Sequence, residues 1–282
     1  MSDIRLRGGD LDGLLLHYLE EGWGPATVLV HGLGGFAESW RHNIPELARH
    51  GRVIALDLPG FGRSGKPRRA YTLDFLARAL DGLLRALGVD TVRLVGHSLG
   101  GAVAARFALE HAGRVERLVF LGAAVPGFHL RPSWIYRTLA LPGLGEMLSS
   151  MITPGICATA LERCFAHPAA EEIRFFVEHE YAARASRDGR AAYLSLLRSV
   201  KHDFTVDAES YRAALTRIGR DVLVVHGRED RVVPVAHARQ VADGLGIAQR
   251  RWLDDCGHFP QIEHASAVNA CLRDFLYAPA SR

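Results

Sequence analysis

Short β-prone runs alternate with longer amphipathic segments along most of this chain of 282 residues. The candidate strands are ATVLV at 26–30, RVIALDLP at 52–59, TVRLVG at 91–96, VERLVFLGAA at 115–124, DVLVVHG at 221–227 and QRRWLDD at 249–255. The segments between them carry apolar residues at helical spacing, most clearly at 72–88. Mostly apolar strands that alternate with helices predict a mostly parallel twisted sheet with helices on both faces. The predicted fold class is therefore α/β.

Two parts of the chain depart from this alternation. The first 25 residues hold two β-prone runs around a turn rich in Gly and Asp, which predicts a hairpin. Residues 126–218 hold helix-like stretches and no clear strand, which predicts a helical insertion between two strands of the sheet. We therefore expect a core formed by 1–125 and 219–282, interrupted by the insertion.

The composition narrows the classes of function. Apolar residues make up 48% of the chain, and the net charge of +3 is too small to indicate nucleic acid or an anionic membrane as a partner. The N-terminus lacks the apolar core of a signal peptide, and no run of about 18 apolar residues is present to span a membrane. The four cysteines have no metal-binding spacing and are expected to be unpaired thiols. We expect a cytoplasmic protein that binds a small-molecule substrate without a cofactor or metal, and its oligomeric state stays open.

One serine stands in the setting of a nucleophile. Ser98 lies in LVGHSLGG at 94–101, between a predicted strand and a predicted helix, and Gly96–Gly100 matches G-x-S-x-G. Glycines on either side permit a sharp turn, because a Cβ there would clash with neighbouring backbone. Such a turn lifts the serine clear of the sheet and directs the N–H of Leu99 towards a developing oxyanion.

An acid and a base follow in the order that this motif requires. Asp230 comes just after the strand DVLVVHG, and His258 comes just after QRRWLDD. Sites in open parallel sheets form at the carboxyl ends of the strands, so the three side chains are expected to meet at one edge. A serine hydroxyl is a weak nucleophile and needs such a base, itself oriented by an acid. We predict a catalytic triad of Ser98, Asp230 and His258.

The loop after the first parallel strand is expected to complete an oxyanion hole. It reads HGLGG at 31–35, and its glycines let the backbone approach a ligand. Leu33 is predicted to supply one N–H and Leu99 the other.

Other polar residues near these motifs are assigned lesser roles. Glu229, Asp254 and Asp255 are alternatives to Asp230 as the triad acid, but each is less well placed in sequence. His31 is expected to brace the loop that contains it, and His97 to serve the structure rather than the chemistry.

Together these segments resemble the α/β-hydrolase fold superfamily. The matching segments are HGLGG at 31–35, DLPGFGRSGKP at 57–67, GHSLGG at 96–101, HGREDRVVP at 226–234 and CGHFPQIEH at 256–264. The insertion at 126–218 falls where the family carries its helical lid, or cap. The resemblance implies Ser98 as nucleophile, His258 as general base and then acid, and Asp230 as its orienting partner.

The function expected first is hydrolysis of an ester or related acyl bond in a small apolar substrate, as in carboxylesterases. Phe36, Trp134 and Phe259 are the predicted substrate-binding residues, with a packing role as the alternative for each. A second possibility is C–C bond hydrolysis, as in the similar meta-cleavage product hydrolases. Those enzymes commonly carry Asn, Met and Trp where this chain has His97, Leu99 and Phe259. A third is a binding or receptor protein on a hydrolase scaffold with little turnover.

Overall fold

A computed structural model describes residues 1–131, 133–205, 208–218, 222–247 and 249–278. Within those ranges the chain forms eight strands: β1 Ser2–Arg5, β2 Leu15–Glu21, β3 Ala26–Val30, β4 Arg52–Leu56, β5 Val92–His97, β6 Val115–Leu121, β7 Val222–Gly227 and β8 Arg250–Leu253. The α-helices there are α1 Ile44–Leu47, α2 Leu73–Ala86, α3 Leu99–Glu110, α4 Trp134–Leu139, α5 Leu144–Ser150, α6 Pro154–Glu162, α7 Ala170–Ala185, α8 Arg187–Thr205, α9 Ala208–Ile218, α10 Val235–Gly244, α11 Pro260–Glu263 and α12 Ala265–Leu276. Short 3₁₀ segments lie at Gly9–Leu11, Ala37–Trp40 and Ala112–Arg114.

The strands form one sheet in the order β1-β2-β4-β3-β5-β6-β7-β8. The predicted hairpin pairs β1 with β2 antiparallel, and β2 also runs antiparallel to β4. The pairs from β4 through to β8 are parallel. The carboxyl ends of β3, β5, β7 and β8 therefore lie at one edge of the sheet, which is where the predicted site residues follow.

Helices cover both faces of the sheet, and β3 shows why its strands are mostly apolar. Val28 and Val30 point into the core beneath α2 and α3, whereas Leu29 points into the opposite core beneath α1 and α12. Alternate side chains of a strand face opposite sides, so a strand covered on both faces carries apolar residues at most positions. Each such side chain contributes about 1.5–3 kcal/mol when it is fully buried.

The segment between β3 and β4 contains only short stretches of helix. The structure has a 3₁₀ segment, Ala37–Trp40, followed by the single turn of α1. Pro45 stands in the first turn of α1. Proline lacks an N–H and is tolerated only in the first turn of a helix, so α1 begins beside it.

The segment between β6 and β7 is a helical insertion consistent with a lid, and among its described residues it contains α4 to α9. Phe165, Ile173 and Phe176 of this insertion form a small apolar cluster with Phe36 of the core. Residues of α8 and α9, among them Leu196 and Leu215, join the main core instead. The exact bounds of the lid stay a prediction, and residues 219–221 at its expected end lie outside the described ranges. No helix in the described residues is long and apolar enough to cross a membrane.

Candidate active site

Ser98 occupies a strained turn between β5 and α3. Its backbone has φ 53° and ψ −121°, a region that non-glycine residues rarely adopt. A Cβ on Gly96 would overlap the Gly100 carbonyl, and a Cβ on Gly100 would overlap the Val30 carbonyl. Both positions therefore need glycine, and the turn places Ser98 at the carboxyl edge of the sheet.

Ser98, His258 and Asp230 form a continuous hydrogen-bonded chain. The distance from His258 Nε2 to Ser98 Oγ is 2.9 Å, and from His258 Nδ1 to Asp230 Oδ2 it is 2.8 Å. Since Asp230 can only accept, His258 donates its Nδ1–H to the carboxylate and offers Nε2 to the serine hydroxyl. Each of the three residues is at least 90% buried. The arrangement can activate a serine hydroxyl by removing its proton.

The carboxylate of Asp230 is held in its ionised form. Burial alone would raise the pKa of Asp230, but the charge of His258 and hydrogen bonds from His226 and His258 lower it well below its ordinary value. The N–H groups of Val232 and Val233 also donate to Oδ1, at 2.8 and 2.9 Å. A carboxylate so held orients His258 and stabilises positive charge on it.

The loop 31–35 lies directly against the serine. A Cβ on Gly32 would come within 2.8 Å of Ser98 Cβ and 3.3 Å of Ser98 Oγ. His31 braces this loop, because its Nδ1–H donates to Gly32 O at 2.7 Å and its Nε2 accepts from the Leu58 N–H at 3.0 Å. Burial lowers the pKa of His31 to about 4, which keeps the ring in the neutral form that this pair of bonds requires.

The two residues predicted to supply oxyanion donors, Leu33 and Leu99, lie on segments next to Ser98. Leu99 begins α3, so its N–H belongs to the first turn, whose donors have no partner within the helix. Leu33 lies in the loop that contacts Ser98, and among the described residues its N–H has no hydrogen-bond acceptor. Both groups are thus free to donate to a ligand, and their catalytic role stays a prediction.

His97 supports His258 through a buried hydrogen bond. Its Nε2–H donates to the His258 carbonyl at 2.7 Å. Burial, with the charge of His258, lowers the pKa of His97 to about 3. The Phe259 ring stacks near both histidines, with centroids 5.2 Å from His97 and 5.4 Å from His258.

Two further contacts of the site were not foreseen from the sequence. His226 approaches Asp230 from β7, and Glu263 accepts hydrogen bonds from the loop that carries His258. The only sequence signal for His226 is a polar residue in an otherwise apolar strand. Glu263 lies in the segment CGHFPQIEH, but its spacing alone does not say which way its side chain turns.

The alternative acids point away from His258. Asp254 pairs with Arg228 and is 78% exposed, and the Asp255 side chain is 83% exposed. Glu229 accepts from the Cys256 N–H at 3.0 Å, which ties together the loops after β7 and β8.

The three residues predicted to bind substrate occupy different settings. Phe36 is 2% exposed and packs between Phe175, Phe176 and His179 of the lid. Trp134 is 73% exposed at the start of α4. Phe259 lies beside the catalytic histidine, and contact between any of the three and a substrate stays a prediction.

Similarity to known proteins decides the family. A sequence profile of the α/β-hydrolase fold matches residues 25–151. The chain is 30% identical over 272 residues to the 2-hydroxymuconate semialdehyde hydrolase of Pseudomonas sp. (strain CF600), covering 94% of this chain and 91% of that protein. The chain belongs to the α/β-hydrolase fold family. It is a hydrolase, as are the relatives it matches almost from end to end.

Two other α/β-hydrolases show the same similarity. The 2-hydroxy-6-oxo-6-(2'-aminophenyl)hexa-2,4-dienoic acid hydrolase of Metapseudomonas resinovorans is 33% identical, over 89% of this chain and 84% of that protein. The solved structure of the 2-hydroxy-6-oxo-6-phenylhexa-2,4-dienoate hydrolase from Rhodococcus sp. strain RHA1 superposes with a TM-score of 0.82 at 27% identity. That match covers 98% of this chain and 99% of the other.

The helical insertion of this α/β-hydrolase brings a charged pair to the loop 31–35. Glu180 and Arg184 of α7 form an ion pair at 2.7 Å, and their side chains are 14% and 13% exposed. A Cβ on Gly34 would lie 2.9 Å from Glu180 Oε1. Burial raises the pKa of Glu180, although Arg184 opposes that shift. The lid surface beside the loop is therefore polar in part. Within the described ranges, no three His, Cys, Asp or Glu side chains are grouped to hold a metal ion.

Proposed function

We propose that this α/β-hydrolase cleaves a C–C bond in a 2-hydroxy-6-oxo-dienoate, with Ser98 as nucleophile, His258 as base and then acid, and Asp230 as orienting partner. The observation that carries the proposal is the hydrogen-bonded chain of these three side chains, in a protein aligned over most of its length with hydrolases of such dienoates. The expected ester hydrolysis fits those relatives less well.

The chemistry of such a substrate fixes which bond breaks. Its ketone carbon is C6, so attack by Ser98 Oγ there leads to loss of the C5–C6 bond. A proton first moves from the 2-hydroxyl to C5, because the electron pair of the broken bond can then delocalise onto the 2-oxygen. The acyl group is left on Ser98, and water activated by His258 releases it as a carboxylic acid.

The tetrahedral intermediates on C6 carry a negative oxygen that needs donors. The N–H groups of Leu33 and Leu99 are assigned this role, since Leu99 directly follows Ser98 and Leu33 belongs to the loop whose Gly32 lies against it. Removing one donor of this kind typically slows a reaction by about 10²–10³-fold.

The test is hydrolysis of a 2-hydroxy-6-oxo-6-phenylhexa-2,4-dienoate and of p-nitrophenyl acetate by the wild-type protein and by Ser98→Ala. We expect wild-type kcat/KM to be higher for the dienoate, and Ser98→Ala to lose at least about 10³-fold on both substrates while keeping its thermal unfolding midpoint. Wild-type activity in a folded Ser98→Ala variant would contradict the assignment of the nucleophile.

Ester hydrolysis is the second candidate because the residues around Ser98 depart from the C–C hydrolase pattern. His97, Leu99 and Phe259 stand where those enzymes commonly carry Asn, Met and Trp. A wild-type protein that turns over the ester and leaves the dienoate intact would favour this candidate. Failure to turn over either substrate would favour a binding protein on the same scaffold.

Three broader assignments accompany the proposal. Residues 126–218 are assigned to the lid, and 1–125 with 219–282 to the core. The protein is placed in the cytoplasm and needs no cofactor for the steps above. The helical content between β6 and β7 supports the first assignment.

A further inference from the structure

His226 makes a buried polar contact on the far side of the predicted triad acid. It lies on β7 and is fully buried. Its Nε2 is 2.7 Å from the Val233 carbonyl oxygen and 3.2 Å from Asp230 Oδ2. Both neighbours are acceptors, so Nε2 carries the proton and shares it between them.

The other ring nitrogen of His226 indicates why a histidine stands at this position. Nδ1 is buried and has no hydrogen-bond partner among the described residues. Leaving a buried acceptor unpaired costs stability, so the packing of β7 alone would be served better by an apolar side chain. The contact made by Nε2 is therefore the feature that accounts for a histidine at this position.

The contact completes the hydrogen bonding of Asp230. Oδ1 accepts from the N–H groups of Val232 and Val233, while Oδ2 accepts from His258 and faces His226. Val233 donates to Asp230 and accepts from His226, which closes the loop 230–233 upon itself. The carboxylate thus has donors on both oxygens and cannot rotate without losing several bonds.

We propose that His226 is a positioning residue of the reaction: it fixes the Asp230 carboxylate towards His258 and moderates how strongly that carboxylate stabilises positive charge on His258. The proposal rests on the roles given above to Ser98, His258 and Asp230. It differs from a packing role because it depends on one donor atom, Nε2, rather than on the volume of the ring.

The proposal sets the sign of a change in pH dependence. The ionisable groups around Asp230 are His226 on β7, His258 and Cys256 in the loop after β8, His97 on β5 and Cys164 after α6. Without the His226 donor, Asp230 stabilises protonated His258 more strongly. A protonated His258 cannot act as base, so the acid limb of the activity profile would move to higher pH.

Three variants distinguish the effect of losing the Nε2 donor of His226 from the effect of changing the volume of its side chain. Gln places its Nε2 four bonds from Cα, as histidine does, so His226→Gln keeps a donor near the same point. His226→Asn is polar but too short, and His226→Leu is apolar and of similar size. The readout is the second-order rate constant for labelling of Ser98 by a fluorophosphonate probe between pH 5 and 9, together with kcat and KM for p-nitrophenyl acetate and the unfolding midpoint of each variant.

We expect His226→Leu and His226→Asn to lower the labelling rate constant and kcat about tenfold or more, as for loss of a hydrogen bond to a charged group, with KM little changed. Their acid limb should move up by about half a pH unit or more, and His226→Gln should restore both the rate and the limb. Equal losses in all three variants, or losses without movement of the limb, would overturn the proposal.

Failure of the proposed function gives a different result. A wild-type protein that is labelled at Ser98 but hydrolyses neither the dienoate nor the ester overturns the substrate assignment, and the comparison of His226 variants by labelling still stands. A wild-type protein that is not labelled at all overturns both.

Discussion

Contacts with neighbouring backbone, as well as the predicted roles of side chains in the site, determine which residues can stand at key positions of this protein. Ser98 was predicted from its flanking glycines and its place between a strand and a helix, and the structure gives it the strained backbone that this motif implies. His226 could not be predicted in the same way, because its contact with Asp230 depends on a loop folding back on the strand. The sequence pattern shows where a side chain begins, whereas the direction of a loop decides what it meets.

Gly100, two residues after Ser98, offers a test of how strongly backbone contacts constrain a single residue. Alanine normally favours a helix over glycine by about 1 kcal/mol, so Gly100→Ala in α3 would stabilise the protein if propensity decided. The added Cβ would instead overlap the Val30 and His31 carbonyl oxygens, which are fixed in β3 and the loop after it. We expect Gly100→Ala to lower the free energy of unfolding in urea by about 1–3 kcal/mol, the usual cost of overpacking, and to abolish activity.

Gly113→Ala is the matched control for that experiment. A Cβ on Gly113 would meet nothing within 4 Å, so its free energy of unfolding should change by no more than about 0.5 kcal/mol. Equal stability of the two variants would show that the crowded turn at Gly100 relaxes at little cost.

At the scale of elements, the predicted catalytic residues depend on connections between loops rather than on the strands alone. The alternation of strands and helices predicted the sheet and placed Ser98, Asp230 and His258 at one edge, because each follows a strand. The lid was predicted only as a helical stretch. Its docking against the core could not be inferred, since helical periodicity does not specify a partner. Phe36 packs against the lid, and its contact with substrate stays a prediction.

Glu263 joins the loop that carries His258 to the lid. Its Oε1 accepts from the Gly257 and Phe259 N–H groups at 3.0 and 3.1 Å, and its Oε2 accepts from the Ala166 N–H at 2.7 Å. In Glu263→Gln one of these oxygens becomes an NH₂ group facing a backbone donor. We expect kcat to fall about tenfold, as for loss of a hydrogen bond to a charged group, because the loop no longer holds His258 in place.

Steady-state kinetics on the preferred substrate would check this, with KM expected to change little. Glu116→Gln provides the control, because Glu116 bonds only to the surface residues Thr91 and Arg93 among the described contacts. A Glu263→Gln protein with the kcat of the control would show that the loop is held adequately by its other bonds.

For the whole molecule, the active site lies between two parts of the chain that are distant in sequence. Ser98 precedes the lid, whereas Asp230 and His258 follow it, so the lid is inserted within the span that forms the site. The His258 N–H donates to the Cys164 carbonyl of the lid at 2.7 Å. Lid position and the geometry of His258 are therefore connected, so the contacts between lid and core would influence the proposed reaction.

A charged contact joins the rim of the lid to the core. Glu172 at the start of α7 is paired with Arg41 and, at 3.0 Å, with His42, both of the core. A partly exposed ion pair such as that of Glu172 with Arg41 contributes about 0.2–1 kcal/mol, so Glu172→Gln should speed hydrogen exchange in α7 by up to about fivefold and leave β5 unchanged. Glu171→Gln is the control, since Glu171 is exposed and has no ion pair among the described residues. Faster exchange in α7 for the control as well, or in neither variant, would mean that the aromatic cluster around Phe36 holds the lid without help from these charges.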